Sequence, residues 1–440
     1  MTLGARIAPN NYIRRIVVTK LFGRYDYVFG EERDRDPPLM MSPFLVLYGD
    51  NGSGKTTILR LLFHLLSPGR ARGHKTYIGR VPFRAFEVEL ADATRIVCSR
   101  ESNDHVGAFE IVVDGPSGYA RAKWIVLEGK VPAEQVSTDQ LRVDQLLKDL
   151  SIQVFFLGDN RVLKNDDVES SFYAERLQRE MRQEARRIER GEIDVRDMAL
   201  RESIFRADQW TRAQALQRSD VGERNIINVL GGVVDRISLS YSAPKPASTG
   251  DAVGRLRELA LRSGEQARYG LTPKLELEEL LSKAGAIRDE DKSTLLNTVM
   301  TSYAENLEAR LDALQPLHDR LSLFERISAE FFVDKKLTIN VRDGITMRSR
   351  GRLLDLDVLS SGEKHLLLLL CNTLASSDSG TLFIIDEPEI SLNVKWQRQL
   401  LGALLGLTAE NPVQFVFATH SIQLIADYPE HVHKLVVHDE

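Results

Sequence analysis

Phe44-Leu45-Val46-Leu47-Tyr48-Gly49-Asp50-Asn51-Gly52-Ser53-Gly54-Lys55-Thr56-Thr57-Ile58-Leu59-Arg60-Leu61-Leu62 is the stretch on which the reading of this chain turns. A short apolar run with the character of a buried strand breaks into a glycine-rich turn. The turn opens onto a segment whose apolar residues recur at three- and four-residue spacing, the pattern of a helix. This succession predicts a phosphate-binding loop. The glycines let the backbone curl until successive N–H groups face inward, and the free N-terminus of the helix adds donors and partial positive charge. Gly49, Asp50, Asn51, Gly52, Ser53, Gly54, Lys55, Thr56 and Thr57 form the cradle. Lys55 is expected to bridge the outer phosphates and Thr56 to offer its hydroxyl to Mg2+. Leu59, Leu62 and Phe63 would pack the helix on the sheet. A glycine loop before a helix is common; the complete pattern between a strand and a helix is specific.

The chain around this loop has 440 residues and a mass of 49.6 kDa, enough for two or three domains or for one nucleotide-binding domain with a large insertion. Hydrophobic and charged contents of 43% and 28% are those of an ordinary globular protein, and no apolar run is long enough to cross a bilayer. The start, Met1-Thr2-Leu3-Gly4-Ala5-Arg6, lacks the apolar core of a secretory signal, so a cytoplasmic protein with no membrane partner is expected. Cys98 and Cys371 each lie in apolar surroundings and read as small core residues. A net charge of -5 argues against a protein that coats nucleic acid by charge alone, but leaves local basic faces open.

In chain order, Ile13 to Phe22 alternates as a strand, with Gly23 to Phe29 as its hairpin partner. A charged loop from Glu31 to Pro38 leads to the phosphate loop. Ser67-Pro68-Gly69 stops the helix, after which Phe86–Leu90, Arg95–Cys98 and Phe109–Val113 read as an added antiparallel sheet. Ile152–Leu157 is a further buried strand. From Glu169 to Arg218 the chain becomes charge-rich helix with an apolar stripe at Leu177, Met181, Ala185 and Ile188. Ser242 to Gly254 reads as a linker, and more helix runs to about Phe332. Glu169 to Glu330 is therefore expected to be a helical insertion, able as a hairpin to reach only about 100 Å. Sheet character returns at Leu337–Val341 and Ile345–Met347, on either side of a turn at Arg342-Asp343-Gly344.

Three later segments carry chemistry. Leu359-Ser360-Ser361-Gly362-Glu363-Lys364 precedes a helix that is apolar almost all round. Its Ser-Ser-Gly turn can serve as a second anion site, or as an ordinary N-cap with Glu363 in the first turn. Thr381 to Ile385 is an apolar strand that delivers Asp386 and Glu387 at its carboxyl end, where open α/β sheets hold their ligands. Asp386 suits a magnesium-organising role with Thr56, and Glu387 suits a general base acting on water. Val413 to Thr419 is another buried strand, ending at His420 where a γ-phosphate sensor would sit.

Together these motifs resemble the ATP-binding-cassette superfamily, in its soluble branch with the chromosome-maintenance (SMC), RecF and OLD-type ATPases. The resemblance covers two lobes, residues 10 to 160 and 335 to 440. It implies an α/β fold: a P-loop NTPase head with a mixed sheet core, an antiparallel β-subdomain and a helical insertion. The implied domains are 1–168, the lobe with the phosphate loop; 169–334, the helical arm; and 335–440, the lobe with the signature, the acid pair and the switch histidine. Carried over by position, Ser360, Ser361, Gly362 and Glu363 belong to a signature that binds ATP held by a partner protomer. Asp386 is a metal ligand, Glu387, His420 and Lys55 are catalytic, and Ser391-Leu392-Asn393 crosses the dimer interface. Relatives often have His or Asp at the place of Asn393. Gln153 is the nearest candidate for the glutamine of the lobe-connecting loop, with a structural role inside an apolar strand the alternative. Arg24 and Tyr25 are candidates for contact with adenine, with core packing the alternative for Tyr25.

The cofactors implied are ATP and Mg2+, and the assembly is a homodimer or a larger homo-oligomer built from dimers. The helical insertion and Glu387-Pro388-Glu389-Ile390-Ser391-Leu392-Asn393 further resemble OLD-type anti-phage ATPases such as those of PARIS and Septu systems. Such relatives are sensors that control a separate nuclease or toxin effector, with a phage protein or DNA as trigger. A DNA-repair or chromosome-maintenance ATPase that binds DNA directly is the alternative. Two further features read as surface: His431, His433 and His438 as imidazoles on a solvated face rather than a metal site, and Arg176 to Arg190 as a self-paired helical face.

Overall fold

The computed structural model describes residues 11–30, 43–69, 73–101, 106–126, 131, 136–158, 163–165, 195–238, 249–278, 290–375, 380–409 and 411–435. The chain divides into two compact units, one of residues 1–201, 360–369 and 376–440, the other of 202–359 and 370–375.

The first unit contains two six-stranded sheets. The antiparallel one is built from β1 (Ile13–Leu21), β2 (Tyr25–Gly30), β4 (Ala85–Leu90), β5 (Arg95–Ser99), β6 (Phe109–Gly115) and β7 (Gly118–Trp124), in the order β2-β1-β4-β5-β6-β7. The other contains β3 (Phe44–Tyr48), β8 (Gln153–Leu157), β9 (Leu163–Asn165), β13 (Thr381–Asp386), β14 (Val413–Thr419) and β15 (Val432–Lys434), in the order β15-β3-β14-β13-β8-β9. All its pairings are parallel except β8 with β9. Every residue of β13 and β14 is buried, which explains their near-continuous apolar runs. Phe155, Phe383, Phe415 and Phe417 stack across three neighbouring strands at centroid spacings of 5.0, 5.5 and 5.5 Å. α1 (Lys55–Leu66) buries Ile58, Leu59, Leu61, Leu62, Leu65 and Leu66 in the core shared by both sheets. The fold class is thus α/β, with a mixed core sheet and an antiparallel subdomain.

Among the elements of this unit that escape the sequence reading are α2 (His74–Arg80), β7 and α3 (Thr138–Asp149). In β7 the inward positions are Ala120, Ala122 and Trp124 while Tyr119, Arg121 and Lys123 face out, so small residues mute the alternation. α3 opens with a capping box between Ser137 and Gln140, a signal legible in the sequence. Cys98 and Cys371 are free and buried, and burial pushes the Cys98 thiol up to about 12. His431 and His433 do not lie on a solvated face: His431 sits in a turn 4.4 Å from the Phe44 ring, His433 edges against Phe29, and burial lowers the pKa of both. Among the described residues no group of three or more metal-ligating side chains of His, Cys, Asp or Glu exists, and no helix is long and apolar enough to cross a membrane.

The second unit contains α4 (Val195–Ser238) from Glu202 onward, α5 (Thr249–Arg268), α6 (Glu290–Phe331) and a three-stranded antiparallel sheet. Leu256 and Leu259 of α5 pack on Met300, Ala304, Leu307 and Leu311 of α6. The sheet comprises β10 (Lys336–Asn340), β11 (Gly344–Ser349) and β12 (Arg352–Leu353), which the sequence reading placed with the C-terminal lobe. α5 begins at Thr249, inside the stretch read as a linker; six residues of that stretch are helix. α7 (Ser361–Leu374), α8 (Val394–Leu407) and a short helix at Ile422–Ile425 are the remaining α-helices among the described residues. The stripe at Leu177 to Ile188, the Arg176 to Arg190 face, Glu31 to Pro38 and His438 lie outside the described residues.

Candidate nucleotide site

The site is assembled by register. Asp386, the last residue of β13, lies beside Ala418 of β14, and Ala418 beside Leu47 of β3. The phosphate loop, the acid pair and His420 therefore leave the same edge of one sheet, with Asp386 two strand spacings, about 10 Å, across from β3. Gln153 lies elsewhere. It pairs with Thr381 at the opposite end of β13, about 16 Å of strand from Asp386, and this corrects its assignment to the lobe-connecting loop.

In the loop, Gly52 and Gly54 take φ of 87° and 90°, which side chains rarely adopt, and a Cβ on Gly54 would meet the Leu21 side chain at 2.8 Å. Ser53 is buried, its amide donates to the Asp50 carbonyl, and its hydroxyl finds no hydrogen-bond partner among the described residues. Lys55 is only 5% exposed. Its ammonium donates to the Gly49 carbonyl at 2.7 Å and the Asp50 carbonyl at 3.0 Å, with no carboxylate partner among the described residues. A buried cation held only by neutral acceptors, at a helix N-terminus, fits an anion such as a triphosphate. Tyr27 braces the loop by donating to the Ser53 carbonyl at 2.9 Å; burial, then the neighbouring Tyr25, pushes its phenol up to about 12. Asp50, Asn51 and Gly52 are exposed, and Thr56 and Thr57 are half-buried in the first helical turn.

Asp386 is buried, while Glu387 adopts φ of 50° and donates its amide to the Ala418 carbonyl at 2.8 Å. A non-glycine residue there stores about 1–3 kcal/mol of strain, within what one or two of the buried phenylalanines contribute by leaving water. His420 Nδ1 stands 3.3 Å from Glu387 Oε1 and 3.4 Å from Glu389 Oε1. Glu389 was given no role by the sequence reading. Its side chain is 4% exposed, it accepts from the Thr419 hydroxyl at 2.5 Å and the His420 amide at 3.1 Å, and its Oε2 has no hydrogen-bond partner among the described residues. The available signal was a second acid two residues beyond Glu387, across Pro388. Thr56 and Asp386 suit Mg2+, which keeps several waters and binds through one or two protein groups plus phosphate oxygens.

At the start of α7, Ser360 and Glu363 form a reciprocal cap: the Ser360 amide donates to Glu363 Oε2 at 2.8 Å and the Glu363 amide to Ser360 Oγ at 3.3 Å. Ser361 is exposed. Gly362 is buried, and a Cβ there would stand 2.5 Å from the Ser391 carbonyl oxygen, so glycine is required where the turn after the acid pair crosses the helix. Ser391 itself has φ of 65°, and Asn393 caps α8 by accepting from the Trp396 amide at 2.9 Å. Tyr25 is buried in a stack with Tyr27 and Phe29, with the Arg24 guanidinium 4.4 Å over its ring. The exposed ring beside the loop is instead Phe22, 41% exposed and 3.4 Å from where a Gly54 Cβ would be.

Loop, acid pair and strand order define the class as a P-loop ATPase. The family described as "AAA domain, putative AbiEii toxin, Type IV TA system" matches residues 258–426, which include the Ser360 turn, the acid pair and His420 but not the phosphate loop. No curated protein matches the chain. Among solved structures, the chain is similar to the Smc head domain with an extended coiled coil bound to the C-terminal domain of ScpA, from Pyrococcus furiosus. There the identity is 13%, the TM-score 0.37, and 94% of this chain and 91% of the other are covered. A SmcHead bound to the C-winged helix domain of ScpA gives 11%, 0.36, 94% and 92%. These likenesses are weak, and the class rests on the strand order and the loop.

Proposed function

We propose that the chain binds ATP with Mg2+ and hydrolyses it at sites shared between two protomers, and that this cycle controls a separate nuclease or toxin effector in a prokaryotic anti-phage defence system. The observation that supports the chemistry is the buried Lys55 ammonium, without an acid partner among the described residues, in a left-handed glycine loop on the same sheet edge as Asp386, Glu387 and His420. Loop amides and Lys55 hold and orient the phosphates. Thr56 and Asp386 would hold Mg2+, which when bound neutralises developing charge on the phosphate oxygens. Glu387 accepts the proton of the attacking water, and His420, held beside it, faces the terminal phosphate. The Ser360 to Glu363 turn completes the site of the partner protomer.

Glu387→Gln should trap an ATP-bound dimer, seen as a shift in sedimentation. A turnover per protomer that stays constant on dilution to the monomer would rule out the shared site. The defence role is supported by the words "putative AbiEii toxin, Type IV TA system" in the description of the family matched at 258–426 and by the OLD-type resemblance. Co-purification with a small effector encoded beside it is the expected result; strong, salt-sensitive DNA binding by the isolated chain would favour a repair or chromosome-maintenance role instead.

A further inference from the structure

The second unit carries an open cleft of about 610 Å3 between the end of α6 and the β10–β11 hairpin. Its floor is apolar: Tyr269, Phe332 and Leu337 are all buried. Its rim is cationic. Arg326, Lys336, Arg348 and Arg350 line it, all are exposed, and none of their side chains makes a hydrogen bond or ion pair with a described residue. Lys336 and Arg348 stand directly opposite one another across the β10–β11 ladder. Like charges so placed destabilise a sheet. The acids nearby do not answer them: Glu325 is engaged by Arg268, by the Tyr269 hydroxyl at 3.3 Å and by the Ile339 amide at 3.2 Å, which leaves Asp334 as the other acid of the lining.

The antiparallel sheet of the first unit shows how this chain otherwise treats cross-strand cations. There Arg95 pairs with Glu87 and Arg121 with Glu110. A scattered basic surface would be a solvated face. Here four unpaired cations surround a concave apolar floor, a local conflict that folding does not require and a bound anion resolves.

We propose that this cleft is a second ligand site, separate from the phosphate loop, for a small phosphorylated molecule of nucleotide size. Lys336, Arg348 and Arg350 take its phosphates, and its apolar portion rests against Tyr269 and Phe332. The volume falls in the range of small-molecule pockets, about 300–1,000 Å3. A nucleic-acid footprint would spread over at least about 600 Å2 of protein with cations well beyond the cleft.

The test is equilibrium dialysis of the full chain with three probes: inorganic tripolyphosphate, adenosine 5′-monophosphate and a single-stranded DNA oligonucleotide. It is run on wild type and on Lys55→Ala, which silences the phosphate loop. Tripolyphosphate and the monophosphate should remain bound in Lys55→Ala and weaken at least about tenfold when Lys336→Glu and Arg348→Glu are added, a loss of about 1.4 kcal/mol. Arg257→Glu, an exposed charge reversal on α5 of the same unit, should leave both unchanged. The milder pair Lys336→Gln and Arg348→Gln repeats the reading should the reversals fail to fold. The site is refuted by an absence of binding in the Lys55→Ala chain, by an equal loss in Arg257→Glu, or by an oligonucleotide that binds through the same residues more tightly than either small probe. None of these outcomes depends on whether the phosphate loop hydrolyses ATP, because the loop is removed from the measurement.

Discussion

The two six-stranded sheets of the first unit share a core and differ in almost everything else. The parallel sheet is buried through its central strands, and the candidate chemistry leaves its carboxyl edge, together with the left-handed backbone at Glu387 and Ser391. The antiparallel sheet alternates buried and exposed residues, matches its outward charges across strands and braces the phosphate loop through the Tyr27 hydroxyl and the Leu21 side chain beside Gly54. A sheet buried by large rings can hold strain at its rim; a sheet with one wet face spends its side chains on solubility and register.

This contrast predicts a gradient of effects. Lys55→Ala should remove ATP binding in calorimetry, and Asp386→Asn should slow turnover on the order of a hundredfold or more. Retained turnover in Asp386→Asn would break the assignment of the edge.

Next in size is Glu389. Glu389→Ala leaves the Thr419 hydroxyl and the His420 amide without their acceptor, so about 1–3 kcal/mol of stability should disappear in denaturant titration. The maximal rate should fall with little change in ATP affinity, and Glu389→Gln should recover most of both. A variant that lost affinity and kept its rate would place Glu389 in binding instead.

Gly362→Ala forces a methyl against the Ser391 carbonyl and should cost about 1–3 kcal/mol in thermal unfolding. ATP binding to the isolated protomer should survive while ATP-dependent dimerisation weakens. Normal dimerisation by light scattering would show that the turn gives way.

His64 offers a pH test. Its Nδ1 stands 2.8 Å from His74 Nδ1, and burial first, then His74 and nearby cations, lower its pKa from 6.5 to about 3. Because the unfolded chain takes up the proton and the folded one does not, stability is full above 6.5 and falls as pH drops from there toward 3. Near pH 5 the loss is about 2 kcal/mol. His64→Phe should flatten that limb of the stability profile; an unchanged slope would assign it to other groups. The smallest effect belongs to the antiparallel sheet, where Arg95→Ala should change stability by no more than about 0.5 kcal/mol.

What could be read in the sequence follows the same division. Strands buried on both faces are continuous apolar runs, so β3, β8, β13 and β14 were legible, and so was the loop that β3 feeds. β7 was not, because Ala120 and Ala122 give its inner face too little hydrophobic contrast. The location of Gln153 depends on which end of β8 meets the site, a matter of register and not of composition. Glu389 has only the weak signal of a second acid across Pro388, and its place beside His420, like that of Phe22 beside Gly54, comes from the turns; the opposition of Lys336 to Arg348 exists only after the hairpin closes.

The close passage of Gly362 beneath Ser391 has a mechanical consequence. The first turn of α7 and the turn that follows the acid pair are meshed like two teeth, with no room for even a methyl group between them. A shift of the segment carrying Glu387 and Glu389 toward α7 is therefore expected to push on the Ser360 turn. Under the proposed shared site, that gearing would turn the loaded or spent state of one nucleotide site into a change in the surface offered to a second protomer, and the two sites would then fire in a coordinated rhythm.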